Sequence, residues 1–308
     1  MDKLTVILPT YNPVKDILNR TLSGLKNQTL PQDLWSLIIV DNNSSNKFSI
    51  DLDLSWHVQS RLIQEHKQGL TYARLRGFNE CREGIILLVD DDNILENNYL
   101  FEILEIFRKH PRMGAIGGKS IPYFLSEPPD WLRYFFHSLA LRDLGDEIKI
   151  DEWQNKYPEN APIGAGMALR VSSLVSYKRK VSSNQRLVIT DRLGTSLSSG
   201  GDNDIVLEIV KSGFQVGYFP SLVLRHIIPE ERFSTNYQAK LAKDSNKSWM
   251  LLLSSHNINP WPSIAPWTIP FRKIKAWFAY KAWLNKVNYI KWRGACGAYD
   301  GLSENLGT

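Results

Sequence analysis

Ile85-Ile86-Leu87-Leu88-Val89-Asp90-Asp91-Asp92-Asn93 is the stretch on which the fold turns. A run of five apolar residues, rich in β-branched side chains, fits a strand buried on both faces. Strands of that kind belong to parallel sheets covered by helices. The carboxylates that follow repel one another, and a divalent cation relieves the repulsion. Their hard oxygens suit Mg²⁺ or Mn²⁺, which bridge protein carboxylates and phosphates. Taken by itself, the triplet could also be a solvated acidic turn capping the next helix. Its place directly behind a buried strand favours the ligand reading.

Working outward, short apolar runs alternate with amphipathic ones. Leu4 to Leu8 reads as a strand stopped by Pro9, and Lys15 to Gln28 as a helix with Ile17, Leu18, Leu22 and Leu25 on one face. Trp35 to Val40 is a second strand ending at Asp41, and Arg61-Leu62-Ile63 a short third. Helices are expected over Leu70–Cys81 and Tyr99–Lys109, with a strand starting at Ala115. The class is therefore α/β, with a mostly parallel sheet and helices on both faces. In such sheets ligands bind beyond the carboxyl ends of the strands. Three polar clusters should share that edge: Pro9-Thr10-Tyr11-Asn12, Asp41-Asn42-Asn43-Ser44 and Asp90-Asp91-Asp92-Asn93. Asp41 can accept hydrogen bonds from a base or ribose, or close an Asx turn with its neighbours. Tyr11 can stack on a nucleobase.

Further along, 120–162 is aromatic and Pro-rich with weak periodicity, as suits a lid or a partner-specific insertion. Gly164-Ala165-Gly166-Met167-Ala168 reads as a tight glycine turn entering a strand. Gly200-Gly201-Asp202-Asn203-Asp204 reads as an acidic helix start ahead of Ile205, Val206 and Leu207. Carboxylates there suit the helix dipole, and one of them can serve as a general base. Phe214 to Phe219 and Val223 to His226 read as two further strands. His226 offers a nitrogen ligand to a metal.

The order of these segments resembles the family 2 glycosyltransferases: Pro9-Thr10-Tyr11-Asn12, Val40-Asp41-Asn42-Asn43-Ser44, Val89 to Asn93, Gly201-Asp202-Asn203-Asp204, then His226. The resemblance runs from Leu4 to Arg232. It implies a GT-A type fold with a Rossmann-like central sheet, and an inverting, metal-dependent transfer from a nucleotide-sugar to a hydroxyl. By position, Thr10, Tyr11, Asp41, Arg74, Asp90 and Asp91 would contact the nucleotide. Asp92, Asp90 and His226 would hold Mn²⁺ or Mg²⁺. Gly164, Gly166, Met167, Gly201 and Asp204 would line the pocket for donor sugar and acceptor, and Asp202 would be the catalytic base. Two departures stand out. Leu75 follows Ala73-Arg74 where the family has Asn, and Gly201 precedes Asp202 where it has Glu. UDP is the nucleotide the resemblance favours, with dTDP and GDP as alternatives, and the acceptor it implies is a glycan or a lipid-linked molecule.

The C-terminal part differs in composition. Between Ser245 and Tyr299 there are eight basic residues and no Asp or Glu, and six of the ten tryptophans lie from Trp249 onward. Phe271 to Arg293 reads as one basic, Trp-bearing helix, which fits contact with a membrane surface or packing against the domain. We therefore expect a GT-A catalytic domain over 1–235, its 1–119 half holding nucleotide and its 120–235 half the acceptor. A helical, basic, Trp-rich extension follows over 236–308.

No segment reaches the ~20 uninterrupted apolar residues of a membrane span. The opening Met1-Asp2-Lys3 lacks the features of a signal peptide. Cys81 and Cys296 cannot build a disulfide framework. A cytoplasmic site is expected, with the inner face of the membrane as an alternative. No nucleic-acid partner is indicated. A nucleotidyltransferase would need a glycine-rich basic loop after the first strand, which Pro9-Thr10-Tyr11-Asn12 is not. A non-catalytic protein binding nucleotide or polyanion fits the basic tail but leaves the ordered carboxylates unexplained.

Overall fold

In the computed structural model, which describes residues 3–45, 52–183, 197 and 200–304, the chain opens with β1 (Leu4–Thr10), α1 (Lys15–Lys26), β2 (Trp35–Asp41), β3 (Ser60–Gln64), α2 (Leu70–Asn79) and β4 (Ile85–Leu88). Every residue of β1 and β4 is buried, as strands covered on both faces must be. The pairings β1–β2, β1–β4 and β2–β3 are all parallel. In this register Thr10 lies level with Asp41 and Ile7 with Leu88. The polar clusters that follow the strands are thereby brought to one edge.

The chain continues with β5 (Asn93–Leu95), α3 (Tyr99–Lys109), β6 (Met113–Phe124), β7 (Lys149–Asp151), β8 (Ala168–Arg170), α4 (Val175–Ser182), α5 (Gly201–Lys211) and β9 (Gln215–Ile228). The described strands form one sheet in the order β3-β2-β1-β4-β8-β6-β9-β5, with β7 beside β9. Beyond β4 the pairings β4–β8, β6–β8, β5–β9 and β7–β9 are antiparallel. Strands β1 to β4 are thus the parallel half of a mixed sheet. Leu4, Leu8, Leu37, Leu87, Ile103 and Phe107 belong to the core beneath it. The two strands expected over Phe214–Phe219 and Val223–His226 are one continuous strand, β9. Pro220, which cannot donate to a ladder, divides the sequence pattern but not the strand.

Two units divide the chain. The first comprises Met1–Tyr123, Ala140–Gln185 and Ile205–Ile227; the second comprises Phe124–Leu139, Arg186–Asp204 and Ile228–Thr308. Helices α6 (Thr235–Ser255), α7 (Ile269–Ala279) and α8 (Lys286–Ser303) make up most of the described second unit. Segment 124–139 groups with them because its aromatics find their cover there: Phe135 packs with Ala239 and Ile290, and Trp131 lies against the same cluster. Helices α6 and α8 approach closely. A Cβ at Gly297 would run into the carbonyl of Lys243, so only glycine fits that crossing.

The single helix expected over Phe271–Arg293 is instead the end of α7, a turn, and the start of α8. Lys281 takes a left-handed conformation with φ +49°. The Asn285 side chain then caps a new helix by accepting from Asn288 N at 2.9 Å. Among the described residues no helix is long and apolar enough to cross a membrane.

Candidate active site

The carboxyl edge of the parallel half carries the first cluster. Thr10, the last residue of β1, donates its hydroxyl to the Asp91 carboxylate. Thr21 in α1 donates to the Asp91 carbonyl at 2.9 Å. Asp91 is therefore held by threonines on two neighbouring elements, which fixes the turn that presents Asp90 and Asp92. Asp90 N donates to Asn93 Oδ1 at 3.1 Å, and Asn93 Nδ2 donates to Asp92 Oδ1 at 3.0 Å. Asn93 thus braces the turn from within, and sequence reading assigned it no role.

Asp92 has a second partner. Its Oδ2 lies 3.2 Å from His226 Nε2, and both residues are buried. The reason is register: Asn93 in β5 pairs with His226 in β9, and Ile227 N donates to the Asp92 carbonyl at 2.8 Å. Residues more than a hundred positions apart are thereby brought into hydrogen-bond reach. Arg74, buried in α2, brings its guanidinium to 3.8 Å from Asp90 Oδ1. Asp92 and His226 thus bring a carboxylate oxygen and an imidazole nitrogen together in a buried setting, with the Asp90 carboxylate in the same turn; carboxylate and imidazole are groups that can hold a divalent cation.

Asp41 is buried and accepts from Ser44 N at 3.0 Å, closing the Asx turn that its sequence allows. Asn42 does more than the sequence suggested. Its Nδ2 donates to Lys67 O at 2.8 Å and its Oδ1 accepts from Gly69 N at 2.7 Å. This clamps the loop that enters α2, and α2 carries Arg74. Tyr11 is about half exposed, at 49%, beside buried Thr10. Asn12 sits in the left-handed region with φ 48° and ties the two loops together, its N donating to Ser44 Oγ at 2.8 Å.

The glycine turn joins the same edge. Leu88 N donates to Met167 O at 2.9 Å and Gly166 N to Leu88 O at 3.1 Å, so Gly164 to Met167 run beside the end of β4. Tyr99 OH donates to Gly166 O at 2.7 Å, and burial pushes that phenol's pKa well above its ordinary value. Gly166 has φ +72°, and a Cβ there would meet Tyr99 OH at 2.5 Å and collide with Leu224. Gly166→Val is expected to cost roughly 2–4 kcal/mol in a denaturant melt, from the left-handed backbone and overpacking together. Gly145→Ala, also at positive φ (+90°) but with nothing within 4 Å, should cost only the backbone part. Equal losses at the two positions would refute the packing argument.

In the second unit, the first turn of α5 presents Gly201, Asp202 and Asp204. Asp204 and His256 are both buried, with Oδ1 and Nε2 2.6 Å apart. His256 caps the C-terminus of α6, its N donating to Leu252 O at 3.2 Å. Asp202 is only partly buried. The sequence offered no signal for His256, because nothing local links it to Asp204. His256→Ala should destabilise the protein by roughly 1.5–3 kcal/mol, the scale of a hydrogen bond to a charged group. A melting curve checks this, and no loss would mean that the pair does not hold the helix start. The two cysteines, Cys81 and Cys296, are buried and free.

A family model described as glycosyl transferase family 2 matches residues 5–174. The chain is 20% identical over 173 residues to the glucosyl-dolichyl phosphate glucuronosyltransferase of Haloferax volcanii, covering 55% of each chain. It is 21% identical over 241 residues to the poly(ribitol-phosphate) beta-N-acetylglucosaminyltransferase TarP of Staphylococcus aureus, covering 69% of this chain and 73% of that one. It thus spans about half the length of the first relative and nearly three quarters of the second. Among solved structures, residues 1–349 of S. aureus TarS in complex with UDP are similar, with a TM-score of 0.53 and 14% identity over 98% of this chain and 90% of that one. This last likeness bears on the fold alone, and the fold is of the GT-A type, with a helical C-terminal region.

Proposed function

Because the chain belongs to glycosyl transferase family 2, we propose that it is an inverting, metal-dependent glycosyltransferase moving a sugar from a UDP-sugar to a hydroxyl on a glycan or lipid-linked glycan. The observation that carries this reading is the buried Asp92–His226 pair at the strand edge, with Arg74 beside Asp90 and Thr10 on Asp91. The UDP held by a TarS structure of the same fold supports the choice of nucleotide.

In this reading the 1–119 half takes the nucleotide and the 120–235 half the acceptor. Asp41 accepts hydrogen bonds from the base or ribose, and Tyr11 offers its exposed ring to the base. Arg74 brings positive charge towards the diphosphate. Asp92, Asp90 and His226 would hold Mn²⁺ or Mg²⁺. A bound cation supplies positive charge against the departing diphosphate. By position in the family, Gly164, Gly166, Met167, Gly201 and Asp204 are assigned to donor sugar and acceptor. Asp202 takes the proton from the acceptor hydroxyl as that oxygen bonds to the anomeric carbon. The bond from that carbon to the diphosphate oxygen breaks, and its electron pair leaves with the phosphate. One displacement inverts the carbon, so no second carboxylate has to form a covalent intermediate.

The choice of Asp202 over Asp204 is supported by their surroundings. Asp204 is engaged by His256 in a buried pair, whereas Asp202 is the more accessible carboxylate of that turn. Segment 271–293 of the C-terminal part contacts the surface of a membrane in the same reading, which suits a lipid-linked acceptor.

The test is a thermal-shift panel of UDP-, dTDP- and GDP-sugars, each with Mn²⁺ and with EDTA. A ligand at ~100 times its dissociation constant stabilises by about 2.7 kcal/mol. We expect a Mn²⁺-dependent shift with a UDP-sugar. No shift with any nucleotide would overturn the reading, and a shift only with dTDP or GDP would correct the donor.

A further inference from the structure

Trp267, Phe271, Ile274 and Phe278 follow the spacing i, i+4, i+7, i+11 along the short 3₁₀ turn Pro266–Thr268 and α7. That spacing puts them on one side of a helix. All are exposed, from 57% for Ile274 to 74% for Trp267. The turn after α7 adds Trp283 and Leu284, both more than half exposed.

The opposite side of α7 is taken. Ala276 is buried, and Trp277 meets Trp292 of α8 edge-on with ring centroids 4.7 Å apart. Trp292 Nε1 donates to Lys273 O at 3.0 Å, and Lys273 Nζ pairs with Asp300 at 2.6 Å. The helix is thus docked by its back and shows its apolar stripe to solvent, the reverse of an ordinary surface helix. An exposed apolar stripe of this kind marks an interaction surface.

The surrounding charge selects the occupant. Arg272, Lys275 and Lys281 are exposed beside the stripe, and Ser245 to Tyr299 holds no Asp or Glu. A second copy docked through the same face would set these cations against their own images, because a two-fold interface pairs a patch with itself. An anionic bilayer answers both features. Aromatic and apolar side chains enter the interface, and the Lys and Arg heads meet the phosphates. We propose that the α7 face docks on an anionic phospholipid bilayer, lying in its surface through Trp267, Phe271, Ile274 and Phe278. This rests on the membrane-contact reading above and specifies its residues and its lipid.

The experiment sediments the full chain with vesicles of phosphatidylcholine alone and of phosphatidylcholine mixed with phosphatidylglycerol, at low and high salt. Binding is expected with the mixed vesicles, weakened by salt, with a blue shift of the emission of exposed Trp267 and Trp283. The triple variant Trp267→Ser, Phe271→Ser, Phe278→Ser should bind on the order of 100-fold more weakly, given the apolar area withdrawn. The variant Arg272→Gln, Lys275→Gln, Lys281→Gln should lose roughly tenfold or more, together with much of the salt dependence. All these side chains are exposed, and unchanged circular dichroism will show that the variants remain folded. Equal binding to both vesicle types would overturn the anionic assignment while keeping membrane contact. Binding to neither would overturn both. Self-association abolished by the serine variant would assign the face to a second copy and overturn the proposal.

Discussion

Asp92→Asn is expected to abolish the stabilisation that Mn²⁺ and a UDP-sugar together confer, while the protein stays folded. The wild type should gain about 2.7 kcal/mol at ~100 times the dissociation constant, and the variant close to nothing. Folding should survive because the site is braced by more than the lost charge. The Asp92 carbonyl still accepts from Ile227 N, and the retained amide oxygen still accepts from Asn93 Nδ2. The new amide group faces His226 Nε2, which can accept from it as the other tautomer. A neutral amide, however, replaces an anionic oxygen ligand. A Mn²⁺-dependent shift as large as that of the wild type would refute the metal assignment. His226→Ala separates the two ligands: it should weaken, not abolish, the metal-dependent shift.

For Asp202→Asn the expected loss is in turnover. Donor binding, read as the Mn²⁺-dependent thermal shift, should be unchanged, and kcat should fall by roughly 10²–10⁴, the range of a positioned general base. Asp204→Asn is the informative companion, since it disturbs the buried pair with His256 and should lower stability as well as rate. Near-normal transfer by Asp202→Asn, with an inactive but folded Asp204→Asn, would move the base to Asp204.

Several features of the site were legible in the chain because they are local. The apolar run Ile85 to Val89 carries its own reason for burial, and the carboxylates behind it mark where the buried strand ends. The alternation around them specifies a parallel half-sheet, and topology alone then places Thr10, Asp41 and Asp90 to Asp92 on one edge. Two expectations were too simple for the same physical reason. Pro220 breaks a pattern but not a strand, and Asn285 starts a helix inside what reads as one continuous apolar period. A cap or a missing donor acts through its partners, which periodicity does not contain.

The sequence by itself determined the α/β class, the parallel strands of the first half and the ordered carboxylates, because each depends on neighbours within a few positions. Tertiary structure alone decided the rest. It decided that Asn93 and His226 share a register and so bring the imidazole to Asp92. It decided that Asn42 clamps the loop before Arg74, and that His256 holds Asp204. It also decided that α7 turns its apolar stripe outward. These are contacts between segments far apart in the chain, and their energy depends on packing that no local window of residues encodes.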